Sequence, residues 1–203
     1  IEIHQVYGLT ETCGPACMIT GEEAMRRIGS AGKGFLHTDV RVVDDRGDDI
    51  GVGETGEIIV SADHVMTEYW NNPQATAEAL REGWLYTGDA ARVDEDGFIY
   101  IVDRIKDMII SGGENIYPAE VEEVIISHPA VVEAGVIGRA DEKWGEVPVA
   151  FVVSSDATLS GPDILAYLDG KIARYKIPKV ANIVEALPRT PSGKIMKQAL
   201  REI

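Results

Sequence analysis

A chain of 203 residues, 45% apolar and 26% charged, is long enough for one or two domains with packed cores and too mixed for a disordered, collagenous or repeat architecture. Its 19 basic and 34 acidic side chains leave a net charge of −15, which repels phosphate backbones and anionic lipid and argues against a nucleic-acid or membrane-surface partner. No apolar run approaches the roughly 18 to 20 residues that a membrane-crossing helix needs, so no integral membrane span is expected.

The chain opens on an alternating, strand-like run over residues 1–6. That run has no initiator Met, basic leader or apolar signal core, and reads as the start of a piece cut from a longer protein. Further short strands are expected over 40–43, 57–60 and 98–102, separated by turns such as Asp45-Arg46-Gly47-Asp48 and Glu95-Asp96-Gly97. Two helices interrupt this β-rich stretch: one over 21–28 behind the capping-box pattern Thr20-x-x-Glu23, the other over 73–81 behind Asn72 as N-cap.

From about Lys106 the pattern changes to alternating elements. A helix is expected over 118–127 with Val121, Val124 and Ile125 on one face, then strands over 131–137 and 147–153. A helix behind Ser160 runs through Ile164, Leu165 and Leu168, followed by a strand over 180–184 and a last helix after Lys194. The fold class is α+β, with a boundary in the charged run 103–107: residues 1–105 form a β-rich portion and 106–203 a small α+β domain.

Cys13 and Cys17 stand as C-x3-C with no second pair, and His4, His37, His64 and His128 are scattered. Two free thiols in a reducing cytoplasm fit better than zinc or a disulfide framework. Charge is uneven. After residue 170 eight basic side chains face only Glu185 and Glu202, which is either a solvated face or an attraction for a small polyphosphate.

Four stretches carry more chemistry than a plain loop requires. In Tyr7-Gly8-Leu9-Thr10-Glu11-Thr12-Cys13-Gly14, placed directly after a strand, glycine lets backbone approach a ligand. Thr10 offers a hydroxyl to phosphate there, and Glu11 a hard oxygen suited to Mg²⁺. In Trp84-Leu85-Tyr86-Thr87-Gly88-Asp89 a carboxylate at a strand end can accept both hydroxyls of a ribose, or close an ordinary turn. The run from Asp103 to Glu120 joins a charged seam to a Gly112-Gly113 loop against which a thin ligand could lie, or is a linker with a tight turn. In Pro188-Arg189-Thr190-Pro191-Ser192-Gly193-Lys194 a lysine rides a mobile but pre-shaped arm, without Walker A spacing; taken alone, an exposed lysine is usually just solvated.

Together and in this order, the four stretches resemble the adenylate-forming superfamily of acyl-CoA synthetases, adenylation domains and luciferase. The resemblance covers nearly the whole chain but only the C-terminal portion of such an enzyme. It implies ATP, Mg²⁺ and coenzyme A as cofactors, with Tyr7 stacked on adenine and the Gly8 segment beside it. Thr10 would touch the α-phosphate, and Glu11 would hold the metal. Asp89 would take the ribose hydroxyls with help from Arg104, and Lys106 would be the hinge of the small mobile C-terminal domain. Gly112 and Gly113 would line the pantetheine tunnel, and Lys194 would bridge substrate carboxylate and α-phosphate. Arg174 and Lys176 are either candidates for the CoA phosphates or solvated helix-end charges.

The segment Ile110-Ser111-Gly112-Gly113-Glu114-Asn115-Ile116-Tyr117-Pro118-Ala119-Glu120 is similar to that of fatty-acid and aryl-acid CoA ligases. Asp141-Glu142-Lys143-Trp144-Gly145-Glu146 and residues 173–179 look like those of bacterial fatty-acyl-CoA ligases. The expectation is a cytoplasmic acid–CoA ligase acting on a medium- or long-chain fatty acid, with an aromatic acid as the alternative. A peptide-synthetase adenylation domain and a non-catalytic interaction module stand further off. The family's β,γ-phosphate-binding loop and most of the acyl pocket would belong to a missing N-terminal part of the same enzyme, so this piece alone should be inactive. A homodimer is compatible with this reading.

Overall fold

The computed structural model describes residues 2–203, and the chain divides into two compact units, Ile1–Ile105 and Lys106–Ile203. The class is α+β. In the first unit β1 (Gln5–Leu9) and β2 (Gly14–Ile19) form a hairpin, and after α1 (Gly21–Arg26) the short β3 (Lys33–Gly34) adds to β2. A five-stranded sheet follows, built from β4 (Asp39–Val43), β5 (Thr55–Ser61) and, after α2 (Pro73–Ala79), β6 (Leu80–Arg81), β7 (Trp84–Val93) and β8 (Ile99–Arg104). Cys17, Ala31, Val42, Ile58, Ala91 and Ile99 form the core between these sheets. Gly32 has φ +94°, and a Cβ there would lie 2.0 Å from the Met18 carbonyl oxygen, so glycine is required where the chain crosses from β2 toward β8.

The second unit holds the β9 (Ile109–Ser111) and β10 (Glu114–Ile116) hairpin, α3 (Pro118–Ile126), and the long hairpin of β11 (Val131–Asp141) and β12 (Gly145–Ser154). After α4 (Gly161–Leu168), β13 (Val180–Ile183) pairs parallel with β12, and α5 (Lys197–Leu200) closes the chain. Helix α3, through Val121 and Ile125, and helix α4, through Ile164 and Leu168, cover one face of the sheet over Ile109, Ile116, Val136 and Val152. The other face carries Ile137, Val149 and Phe151 under Leu187 and Leu200. Residues alternate between the faces because a strand's side chains have a period of two.

Several expected elements move. The first strand is not 1–6 but Gln5–Leu9, so Tyr7 and Gly8 lie in the strand and not in a loop after it, while Ile1 lies outside the described residues. The helix expected over 21–28 ends at Arg26, and the capping box does not form: the Thr20 side chain makes no cap bond, and the Glu23 carboxylate pairs with Arg26 and Arg27. The helix expected over 73–81 stops at Ala79, as Leu80 and Arg81 pair with β7, though Asn72 does cap it through the Ala75 N–H. Asp89 is not at a strand end: it sits inside β7, whose run continues to Val93. The expected helix after Lys194 is a single turn, Lys197–Leu200.

Candidate active site

The first unit gathers Tyr7, Asp89 and Arg104. On β7 the Thr87 hydroxyl donates to the Ile58 carbonyl at 2.7 Å and accepts the Asp89 N–H, while the Gly88 N–H reaches Glu57 Oε1 at 2.8 Å. The pairing of β7 with β5 and with β8 slips a register at this point, as at a bulge that re-aims a side chain. Asp89, only 5% exposed, accepts the Tyr7 hydroxyl proton on Oδ2 at 2.7 Å, and its Oδ1 lies 2.7 Å from Arg104 Nη1. Arg104 is brought there by register, because it pairs directly with Asp89 across β7 and β8. Burial, then the Asp89 carboxylate, push the Tyr7 hydroxyl far above the ordinary tyrosine range, so it remains a donor at all physiological pH.

Between β1 and β2 the chain makes a tight turn over Thr10–Thr12 that ends on Cys13 in the left-handed region at φ 50°. Thr12 is buried and holds the turn closed, donating toward the Leu9 and Gly14 carbonyls and accepting the Leu9 N–H. That leaves Thr10 exposed and Glu11 half-buried at the apex. Glu11 is fixed twice: its carbonyl accepts the Met66 N–H, and its Oε1 accepts the Tyr69 hydroxyl at 2.8 Å. His64 braces the same turn, with Nδ1 against the Thr12 carbonyl and Nε2 against Thr38 Oγ1 at 2.9 Å. Among the described residues no three His, Cys, Asp or Glu side chains converge as a metal cage. Glu11 could therefore supply one carboxylate ligand to a cation that takes its other ligands elsewhere.

In the second unit Lys106 is exposed in the short helical turn Ile105–Asp107. Gly112 and Gly113 form the two-residue turn of the β9–β10 hairpin, both at positive φ, so the expected loop is a structured turn. A Cβ on Gly112 would strike the Trp144 ring at 2.7 Å, and its N–H donates to the Trp144 carbonyl. Beside it opens a cavity of about 600 Å³, lined among others by Gly112, Trp144, Arg174, Tyr175 and Lys179. Lys176 is not available there, because its ammonium grips both Glu120 carboxylate oxygens at 2.6 and 2.7 Å. Burial lowers its pKa, but Glu120 outweighs that and raises it overall.

Lys194 stands on a hairpin and not on a loose arm. Arg189 and Ile195 pair across it, and the Thr190 N–H reaches the Lys194 carbonyl at 2.8 Å. The Lys194 N–H in turn donates to Thr190 Oγ1, and Gly193 turns the chain at φ 87°. The Lys194 side chain is exposed, and its ammonium is in no ion pair among the described residues.

Of the residues expected in the first unit, Tyr7, Asp89 and Arg104 bond to one another, while Gly8 lies in β1 and Thr10 and Glu11 in the turn that follows it. Gly112, Gly113, Lys106 and Lys194 belong to the second unit. Sequence reading missed Tyr69, His64, Thr87 and Glu57, which hold the named residues in place. Thr87 lies inside the quoted stretch that ends on Asp89, but no local pattern marks Tyr69, His64 or Glu57. It also passed over Trp144 as a packing partner of Gly112, although a tryptophan after a charged turn was a visible signal.

Residues 1–70 match the family model of AMP-binding enzymes, and residues 120–194 that of the AMP-binding enzyme C-terminal domain. All of the chain aligns at 50% identity with 40% of a long-chain-fatty-acid–CoA ligase, FadD13, of Mycobacterium tuberculosis. It aligns at 47% with 42% of a 2-succinylbenzoate–CoA ligase of Bacillus mycoides. The chain thus spans about two fifths of the length of the curated relatives it matches. Among solved structures, o-succinylbenzoate CoA synthetase from Bacillus subtilis in complex with its acyl-adenylate intermediate superposes with a TM-score of 0.93 at 42% identity, covering 98% of this chain and 41% of that one. The same synthetase with ATP and magnesium ion gives 0.91 at the same identity and coverage.

Proposed function

The chain belongs to the family of AMP-binding, adenylate-forming enzymes, and on that premise we propose that it is the C-terminal part of an ATP-dependent acid–CoA ligase. Such an enzyme joins a carboxylate to the α-phosphate of ATP with release of pyrophosphate, then transfers the acyl group to the thiol of coenzyme A with release of AMP. The observation that carries the reading is Asp89, a buried carboxylate held between Arg104 and Tyr7, the latter on the strand β1 that runs into the Thr10–Thr12 turn. A carboxylate fixed at both oxygens is pre-aimed, and a nucleoside need only exchange one bond, that of the Tyr7 hydroxyl, to offer its ribose hydroxyls. Releasing that bond frees the Tyr7 ring to lie against adenine.

Thr10 and Glu11 at the apex of the turn then meet the phosphates. A single carboxylate such as Glu11 suits Mg²⁺, which keeps most of its ligands as phosphate oxygens and water. When bound, that ion neutralises phosphate charge. Lys194 supplies the complementary cation: attack of one anion on another is slow unless a positive group sits between them. In this reading the second unit turns about Lys106 after adenylation, withdrawing Lys194 and presenting Gly112, Gly113 and the adjoining cavity to coenzyme A. The cavity supports this with an indole, a phenol and the Arg174 and Lys179 cations, groups that suit a base and phosphates.

We assign a medium- or long-chain fatty acid as the substrate, supported by the half-identical fatty-acid–CoA ligase relative, and a cytoplasmic setting, supported by the free thiols. An aromatic acid is the second reading, which the 47%-identical succinylbenzoate–CoA ligase favours. The test is turnover by the full-length protein with ATP, CoA and a panel of acids. AMP and pyrophosphate release with fatty acids of medium or long chain supports the first reading, and release only with aryl acids moves it to the second. No acyl-CoA with any carboxylic acid, in an enzyme that still binds ATP, sinks both.

A further inference from the structure

We propose that Arg189 and Glu133 are positioning residues for Lys194, fixing the lysine hairpin to the sheet of the second unit so that its ammonium presents in one place. The inference rests on the adenylating role proposed above for Lys194.

Three observations converge on it. Arg189 is bonded in two directions at once: one nitrogen, Nη1, donates to the Gly193 carbonyl beside Lys194, and the other, Nη2, lies 2.6 Å from Glu133 Oε1. The guanidinium therefore joins the turn that carries the lysine to strand β11, using the planar fork geometry that a lysine could not reproduce. Glu133 faces the right way because β11 slips register between Val131 and Glu133, after which Glu133, Gly135 and Ile137 share one face. On that face Gly135 leaves the room that Leu187, Ile195 and Leu200 fill: a Cβ there would sit 3.0, 3.8 and 3.7 Å from Leu200, Ile195 and Leu187 respectively. The apolar contact seats the hairpin, while the ion pair at its open end sets its rotation.

Neither partner is buried deeply, with side chains 42% and 33% exposed. An exposed pair contributes little to stability, so a structural role alone gives no reason for the geometry. A cation that must sit between two reacting anions is sensitive to displacement of an ångström, which gives one.

The experiment uses the full-length enzyme and reads the two half-reactions separately: pyrophosphate release from ATP and acid, and thioester formation from supplied acyl-adenylate. Arg189→Ala and Glu133→Gln are each expected to lower kcat of the first step about tenfold with KM for ATP within twofold, leave the second step within twofold, and leave the melting temperature nearly unchanged. The exchanged double variant, Glu133→Arg with Arg189→Glu, restores the Glu133 contact but not the Gly193 contact, and is expected to recover part of the first step. Equal loss in both steps, or wild-type adenylation by Arg189→Ala while Lys194→Ala abolishes it, overturns the positioning role and leaves the functional reading standing. Adenylation that survives Lys194→Ala overturns that reading and this inference with it.

Discussion

Tyr7, Asp89 and Cys17 make the first unit's stability depend on alkaline pH. Burial pushes the Cys17 thiol from its ordinary value near 9 up to about 12, and burial together with Asp89 holds the Tyr7 hydroxyl above its ordinary value near 10. Both folded-state values are raised, so the folded chain binds the extra proton. The associated stability is complete below the unfolded values and is lost as pH climbs through 9 and 10 toward the folded ones. Urea unfolding should show a midpoint that falls between pH 9 and 12, with Cys17→Ala and Tyr7→Phe each flattening part of the slope; a midpoint constant from pH 8 to 11 would refute the assignment. Asp89→Asn leaves Tyr7 and Arg104 without their acceptor charge, and should cost about 1–3 kcal/mol of stability at pH 7 as well as weakening nucleotide binding, measured by urea melts and ATP titration. Asp89 was legible as a candidate from its Thr-Gly-Asp setting, but its burial and both partners were not. They depend on a strand register 15 residues downstream and on a hairpin 82 residues upstream.

Sequence patterning located elements well where one face alone is buried. Helix α4 is marked by Ser160, whose N–H and hydroxyl both donate to Asp163 Oδ2, and by Ile164 and Leu168, both fully buried. The short hairpins were missed for the opposite reason: β9 and β10 have three residues each, too few to show a period, and their turn is a Gly-Gly pair that equally reads as a ligand loop. Thr20 and Glu23 matched a capping box, yet Glu23 is drawn off by Arg27, which also holds Asp94 and Asp96; such a tertiary competitor cannot be read locally. Packing between elements gives a sharp test at Gly161, the first residue of α4, where a Cβ would lie 2.0 Å from the Ala181 carbonyl oxygen of β13. In an exposed first turn Gly→Ala would be harmless. Here Gly161→Ala should force α4 off β13 and cost about 1–3 kcal/mol, read as a lower urea midpoint; a neutral or stabilising result would contradict the packing.

At the scale of the whole chain, the net charge of −15 hides a basic end whose charges divide into two groups. Lys176, Lys197 and Arg189 are paired with Glu120, Glu122 and Glu133, acids that precede residue 171 in the chain. The raw +6 of the last 33 residues therefore overstates the field they offer a ligand, because half of it is neutralised across α3 and β11. Lys171 rests over the Tyr167 ring at 3.1 Å, while Arg174 and Lys179 line the cavity beside Gly112 in no ion pair among the described residues. If coenzyme A docks there, its phosphates should sense the second group and not the first. Arg174→Ala and Lys179→Ala in the full-length enzyme should each raise KM for CoA on the order of fivefold at low salt, and the double variant should flatten the dependence of that KM on ionic strength. Lys197→Ala, by contrast, strands Glu122, which is 18% exposed and also accepts the Val136 N–H, and should lower the melting temperature while leaving KM for CoA within twofold. The reverse pattern, with CoA affinity following Lys197 and indifferent to Arg174 and Lys179, would place the coenzyme phosphates on a different face of the second unit.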